Sequence, residues 1–209
     1  MARRAGNREH LLAIAEAHML DKGFGATSID EIIAASTLSR SGFFYHFKDR
    51  NELARALVER YIEQDNALLD GIFGRARELH DDPLHAFLIG LKLFSEMMAD
   101  LPEGHPGCLV TTFCYAERSF DREVHALNRQ AVLGWRERFV GHFAEIATRY
   151  PVPTGESYAA LADMIGTTIE GGIILSRAAR RPRLLAEQVL VLRSHVKLLF
   201  SQPTLRSAA

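Results

Sequence analysis

Apolar residues recur at three- and four-residue spacing along most of the 209-residue chain, the mark of amphipathic helices separated by short breaks. From Arg8 to Lys22 the positions Leu11, Leu12, Ala15 and Met19 share one helical face, and Gly23 and Gly25 stop the pattern. Residues 1–7 read as a disordered basic arm. Ser28 and Glu31 have capping-box spacing, so a helix is predicted from about Ile29 to Ala35, with Ile29, Ile32 and Ile33 on its apolar face. Ser36-Thr37-Leu38 breaks it. Ser39 is a second N-cap and opens a short helix from Arg40 to about His46. Phe43, Phe44 and Phe47 sit one, three and four residues apart, so some of these rings must be buried. Asp49 and Glu52 repeat the capping spacing and start a long helix, with Leu53, Leu57, Tyr61, Leu68 and Ile72 in register to about Gly74.

Asp82-Pro83 marks the next start, because Pro suits the first helical position. Leu84, Phe87, Leu88, Leu91, Phe94 and Met98 follow as a wide apolar face. Leu101 to Gly107 is a loop. Cys108 to Tyr115 has strand propensity, but a lone strand has no partner in a helical chain, so a short helix is predicted. Ser119 to Tyr150 is a long helix with Val124, Leu127, Ala131, Trp135, Phe139, His142 and Ile146 facing in, ended by Pro151 and Pro153. Glu156 to Ala179 and Leu184 to Phe200 are the last two, with Pro182 between them. The fold class is all-α.

Those last two helices are apolar on more than one side. Ala159, Ala160, Ala162, Gly166, Gly171 and Gly172 crowd the first, and glycine inside a helix costs roughly 1 kcal/mol relative to alanine, so close packing is expected there. Leu185, Val189, Leu192, Val196 and Leu199 form an alternating four-three seam on the second. The expectation is a homodimer through residues 156–179 and 184–200, two helices from each subunit making a four-helix bundle.

Composition changes the picture little. A net charge of −1 gives no global field to attract nucleic acid. Positive charge is local instead, at Arg3, Arg4 and Arg8 and again at Arg40, Lys48 and Arg50. Two cysteines, Cys108 and Cys114, are too few for a disulfide framework. No apolar leader and no run of about 18 apolar residues stands out, so no membrane partner is expected and the expected location is cytoplasmic.

The two short helices around Leu38 carry the chemistry. A helix of under two turns is not stable alone, so something must reward docking Arg40–His46 against its predecessor. Reading the DNA major groove is such a reward, because the second helix of a helix-turn-helix enters the groove with its first residues at base edges. Here these are Arg40, Ser41 and Gly42, led in by Ser39. Arg reads guanine with two hydrogen bonds, Ser reads either way, and Gly lets the backbone approach. Tyr45, His46, Lys48 and Arg50 follow as a cluster able to contact phosphates, and Ser28, at a helix N-terminus, can hold one.

Over Thr27 to Leu53 the sequence resembles the TetR family of transcriptional regulators. Thr27, Ile29, Ile32, Leu38, Ser39, Phe43, His46, Phe47 and Leu53 stand at the family's motif positions. Ile33, Thr37, Ser41 and Phe44 depart from it, where Ala, Gly, Gly and Tyr are usual. The resemblance adds Thr27 to the DNA-facing set. It implies a three-helix head over residues 1–53 and a helical effector-binding and dimerisation domain over 54–209. It further implies a ligand-responsive regulator, a repressor by preference, that binds a palindromic double-stranded operator as a homodimer and is released by a small-molecule effector.

No catalytic motif is present, and neither a metal site nor a cofactor is expected; His105, Cys108 and Cys114 lack the repeated spacing of zinc ligands. Phe87, Phe94, Met98, Phe113, Trp135, Phe139 and Met164 are candidates to line an apolar pocket, with Thr111, Thr112, Tyr115, His142, Thr168 and Glu170 as its polar groups. The TetR resemblance carries most of this assignment. Two alternatives stay open: an all-α small-molecule-binding protein or enzyme without specific DNA binding, and a regulator that senses redox state through Cys108 or Cys114.

Overall fold

The computed structural model describes residues 2–151 and 157–201. Pro153 and Glu156, placed at helix ends by their sequence, lie outside them, as does Met1 of the expected arm. Nine α-helices account for most of the described residues, without a strand among them: α1 (Ala2–Lys22), α2 (Ile29–Ser36), α3 (Arg40–His46), α4 (Arg50–Leu79), α5 (Pro83–Ala99), α6 (Leu109–Tyr115), α7 (Arg122–Ala147), α8 (Tyr158–Ala178) and α9 (Leu184–Ser201). Helix α1 begins inside the stretch expected as a disordered arm; Ala and Arg are good helix formers there.

The caps act as their chemistry demands. Ser28 and Glu31 exchange both bonds of a capping box, with Glu31 N donating to Ser28 Oγ at 3.2 Å and Ser28 N to Glu31 Oε2 at 2.9 Å. Ser39 Oγ accepts from Gly42 N at 3.1 Å. Asp49 Oδ1 caps Glu52 N at 2.9 Å, while Glu52 itself reaches Lys48 N rather than closing the box on Asp49. Asp82 Oδ1 caps His85 N at 3.0 Å behind Pro83. Cys108 is the N-cap of α6, so CLVTTFCY starts as a helix. Helix α7 starts three residues later than predicted because Asp121 Oδ1 takes the amides of Glu123 and Val124 at 3.0 and 2.9 Å.

The chain forms two compact units. The first comprises Met1–Asp65 and Pro106–Val132. Its core joins Leu11, Leu12, Met19, Phe24, Ile32, Phe43, Phe47, Leu53 and Leu57 to Leu109, Phe113 and Val124. Phe24, Phe113 and Phe120 meet with ring centroids 4.1–5.5 Å apart. This unit therefore differs from the cut expected after Leu53: apolar residues some hundred positions from α1 close its core.

The second unit comprises Asn66–His105 and Leu133–Ala209. Helix α9 packs along α5 and α8. Ser95 Oγ donates to the Ala186 carbonyl at 3.0 Å, Arg193 Nε to the Leu88 carbonyl at 2.9 Å, and Leu185 N to Ser176 Oγ at 3.0 Å. The buried side of α4 in this unit is Leu69, Phe73 and Ala76, with Leu68 exposed, so the stripe runs one position later than the sequence suggests. Phe73 fits because Gly90 has no side chain; a Cβ there would lie 2.4 Å from the Phe73 ring. Gly172 plays the same part between α8 and α9, where a Cβ would meet Leu185 Cδ1 at 2.7 Å. Helix α8 is, by length and composition, apolar enough to cross a membrane.

Candidate nucleic-acid interface and effector cavity

The α2–α3 corner is built on buried rings. Phe43 and Phe47 are almost wholly buried, while Phe44 and Tyr45 are exposed. The corner residue Thr37 takes the left-handed conformation, φ 60°, which glycine adopts without penalty and a β-branched residue does not. Ser36 is buried and stitches the turn, its Oγ donating to the Ile33 carbonyl at 2.9 Å and accepting from Leu38 N at 3.2 Å.

This corner presents most of the expected DNA-facing set at the surface. Ser28, Ser39, Arg40, Ser41, Tyr45 and Lys48 are exposed, and Gly42 and His46 half-buried. Ser39 and Ser41 share a hydrogen bond at 3.0 Å. A Cβ on Gly42 would press on Ser39 Oγ at 3.3 Å. Arg8 is exposed, with its guanidinium over the Phe47 ring.

Two members of the set turn inward. Thr27 is buried and donates to the Gly23 carbonyl at 3.0 Å. The Arg50 guanidinium donates to the carbonyls of Phe24 and Thr27, the latter at 2.8 Å, and lies 3.9 Å from the Phe24 ring centroid. Burial there draws its pKa below the ordinary arginine value. These two side chains tie α4 to the turn before α2. Nothing in the linear sequence separates such an arginine from one that faces phosphate. The structure also adds a residue the sequence reading left out: Asp30, whose Oδ1 accepts from Arg40 Nη1 at 2.6 Å.

The expected pocket residues fall in both units. Thr111, Thr112, Phe113 and Tyr115 lie on α6 in the first. Phe113 is packed on Phe24, Thr112 Oγ1 donates to the Cys108 carbonyl at 3.0 Å, and Tyr115 is 84% exposed. Phe94, Met98, Trp135, Phe139, His142, Met164, Thr168 and Glu170 lie in the second. There Phe94, Met98 and Phe139 are buried, and Trp135 meets Phe139 edge-on at 5.7 Å.

The second unit holds a cavity of about 230 Å³ among α4, α5 and α7. His142, Phe73 and Phe87 line it, with Arg77, His80, Asp81 and Glu145 as polar lining. His142 and Phe87 are the members of the expected pocket on this wall. The His142 ring lies 4.5 Å from that of Phe73 and 5.3 Å from that of Phe87. Burial lowers its pKa to about 4, helped by the charges of Arg77 and Arg138 and opposed by Glu145, so the imidazole is neutral at pH 7. Arg77 and Glu145 pair at 3.3 Å. The linear signal for this wall was weak, because Arg77 and Glu145 read as ordinary solvated helix charges. Among the described residues, no group of three His, Cys, Asp or Glu is placed to hold a metal ion.

Against known proteins, residues 11–57 match the family described as bacterial regulatory proteins, tetR family. Transcriptional regulator AcuR of Cereibacter sphaeroides is 27% identical over 175 residues, 79% of this chain and 74% of that protein. HTH-type transcriptional repressor BepR of Brucella suis is 27% identical over 99 residues, 45% of this chain and 46% of that one. A regulatory protein TetR from Rhodobacter sphaeroides shares the fold with a TM-score of 0.72 at 23% identity, over 90% of this chain and 97% of that one. The helix-turn-helix therefore lies within the residues that match the tetR family, and the chain shares its fold with that solved TetR regulator.

Proposed function

We propose that this regulator is a ligand-responsive, cytoplasmic repressor that binds a palindromic operator as a homodimer. The observation that carries the dimer is an uncovered apolar face on the last two helices. Ile174 and Leu175 on α8 and Val191 and Leu198 on α9 are each at least half exposed. Gly166 and Gly171 on α8 have open space where a Cβ would stand. Water-facing aliphatic residues on adjacent helices, beside glycines that admit close approach, suit a second copy of the same helices. The same pairing accounts for the apolar composition of α8 without a membrane.

Two heads joined this way would enter successive major grooves about 34 Å apart. The cavity beside His142 is smaller and more polar than a drug-sized site, so the effector it would admit is compact and polar. Helices α4 and α7 each run through both units and are covalent routes by which effector binding would alter the heads. Whatever factor the effector takes from operator affinity, the operator takes from effector affinity. Repression is supported by the likeness to BepR, which is named as a repressor.

The test is binding to labelled DNA from upstream of the protein's own reading frame, titrated against random duplex. A palindromic footprint with a specificity ratio above about 10³ is expected. Binding no tighter than to random DNA, followed by failure of genome-wide selection to return any site, would end the operator reading. Sedimentation of Leu198→Glu tests the interface: it should run as a monomer where the natural protein runs as a dimer.

A second reading has its own observation. Cys114 is exposed, with its Sγ 3.3 Å from Asn128 Nδ2, whereas Cys108 is buried. A response to oxidant through Cys114 would disappear in Cys114→Ser and survive in Cys108→Ser.

A further inference from the structure

We infer that Asp30 is a specificity-determining residue that positions Arg40 for base reading. This rests on Arg40 being the base reader. Arg40 opens α3, directly after its Ser39 cap. Two groups hold its guanidinium. Asp30, in the first turn of α2, accepts from Nη1 at 2.6 Å. Phe44, one turn along α3, has its ring centroid 5.7 Å from the guanidinium carbon. Phe44 in turn stands edge-on against buried Phe43 at 5.3 Å, so the brace runs back into the core of the first unit. Both charged side chains are exposed, Arg40 at 68% and Asp30 at 73%, and an exposed pair contributes little to folding stability.

The arrangement has a use at a DNA surface. An unpaired aspartate in the first turn of α2 would repel phosphate, and an unbraced arginine there would contact any phosphate it reached. Paired, Asp30 occupies Nη1 and leaves the Nε and Nη2 hydrogens as a side-on fork. Guanine presents N7 and O6 as two acceptors on one edge, and a planar fork held in one orientation meets that pair better than a freely rotating one. Asp30 therefore converts a general cation into a directed reader.

The experiment uses the full chain and a random-sequence duplex library to select a consensus, then measures binding to the consensus and to its single-base variants. Arg40→Ala should reduce discrimination at one base position by about tenfold or more. Asp30→Asn should reduce discrimination at that same position by about tenfold, with the melting temperature unchanged. Adding Asp30→Asn to Arg40→Ala should change discrimination no further, and Asp30→Glu, which keeps the carboxylate, should retain it. If Asp30→Asn instead scales affinity for every sequence by one factor in both backgrounds, or changes nothing, Asp30 only repels phosphate or is idle, and the inference fails. If Arg40→Ala keeps full discrimination, or no consensus emerges, the base-reader assignment fails first and this inference falls with it.

Discussion

The neutral His142 ring makes stability depend on pH in a way that can be worked from its surroundings. Burial against Phe73 and Phe87 is the main cause of its low pKa of about 4, with Arg77 and Arg138 adding to it. In the unfolded chain an imidazole titrates near 6.5. Between those values the unfolded state binds a proton that the native state refuses, so stability rises with pH. The His142 contribution is fully present above about 6.5 and is lost as pH falls toward about 4. Between pH 7.5 and pH 5.0 the loss is about 2 kcal/mol. The perturbation is His142→Phe, which keeps a ring among rings and removes the titration. Urea unfolding of both proteins at both pH values isolates the term, since other groups cancel in the difference. With a slope of about 2 kcal/mol per M, the wild-type midpoint should fall on the order of 1 M further than that of the variant. Equal losses in the two proteins would refute the argument, as would an NMR titration of the His142 ring centred near pH 6.5.

Three further outcomes follow from single positions. Thr37→Gly should raise stability by about 0.5–1 kcal/mol, read as a higher melting temperature, because the residue already sits at φ 60° and the relief of left-handed strain exceeds the entropy glycine adds to the unfolded chain; a lower melting temperature would mean that the turn is not strained. Gly90→Ala should destabilise by about 1–3 kcal/mol, since the new methyl falls 2.4 Å from the Phe73 ring; the companion Phe73→Leu should recover part of that loss in denaturant melts. Lys48→Ala should weaken binding to all DNA sequences alike and flatten the salt dependence by about one phosphate contact, in contrast to the sequence-selective loss at Arg40, and fluorescence anisotropy at several salt concentrations separates the two.

What the sequence by itself determined is the local part. Helix starts were legible because a cap is a short-range device: Ser28 with Glu31, Ser39 with Gly42 and Asp82 with His85 are bonded within three residues of one another. Helical faces in α5 and α9 were legible because each lies within one compact unit, whose core selects every third or fourth residue. The likeness to the tetR family was legible because the helix-turn-helix is itself a local motif, within residues 11–57 that match that family. Tertiary structure decided whatever depends on residues far apart in the chain. The apolar stripe on α4 steps from Leu68 to Leu69 where the helix passes from one compact unit to the other, and the stripe follows the partner, not the period. Arg50 turns from a surface cation into a clamp because the Phe24 and Thr27 carbonyls stand within its reach. The cavity exists only where Phe73, Phe87 and His142 arrive from three helices. Arg40 gains its brace from Asp30, ten residues earlier on another helix. Spacing along a chain reports which face a residue occupies; only the fold decides what stands opposite it.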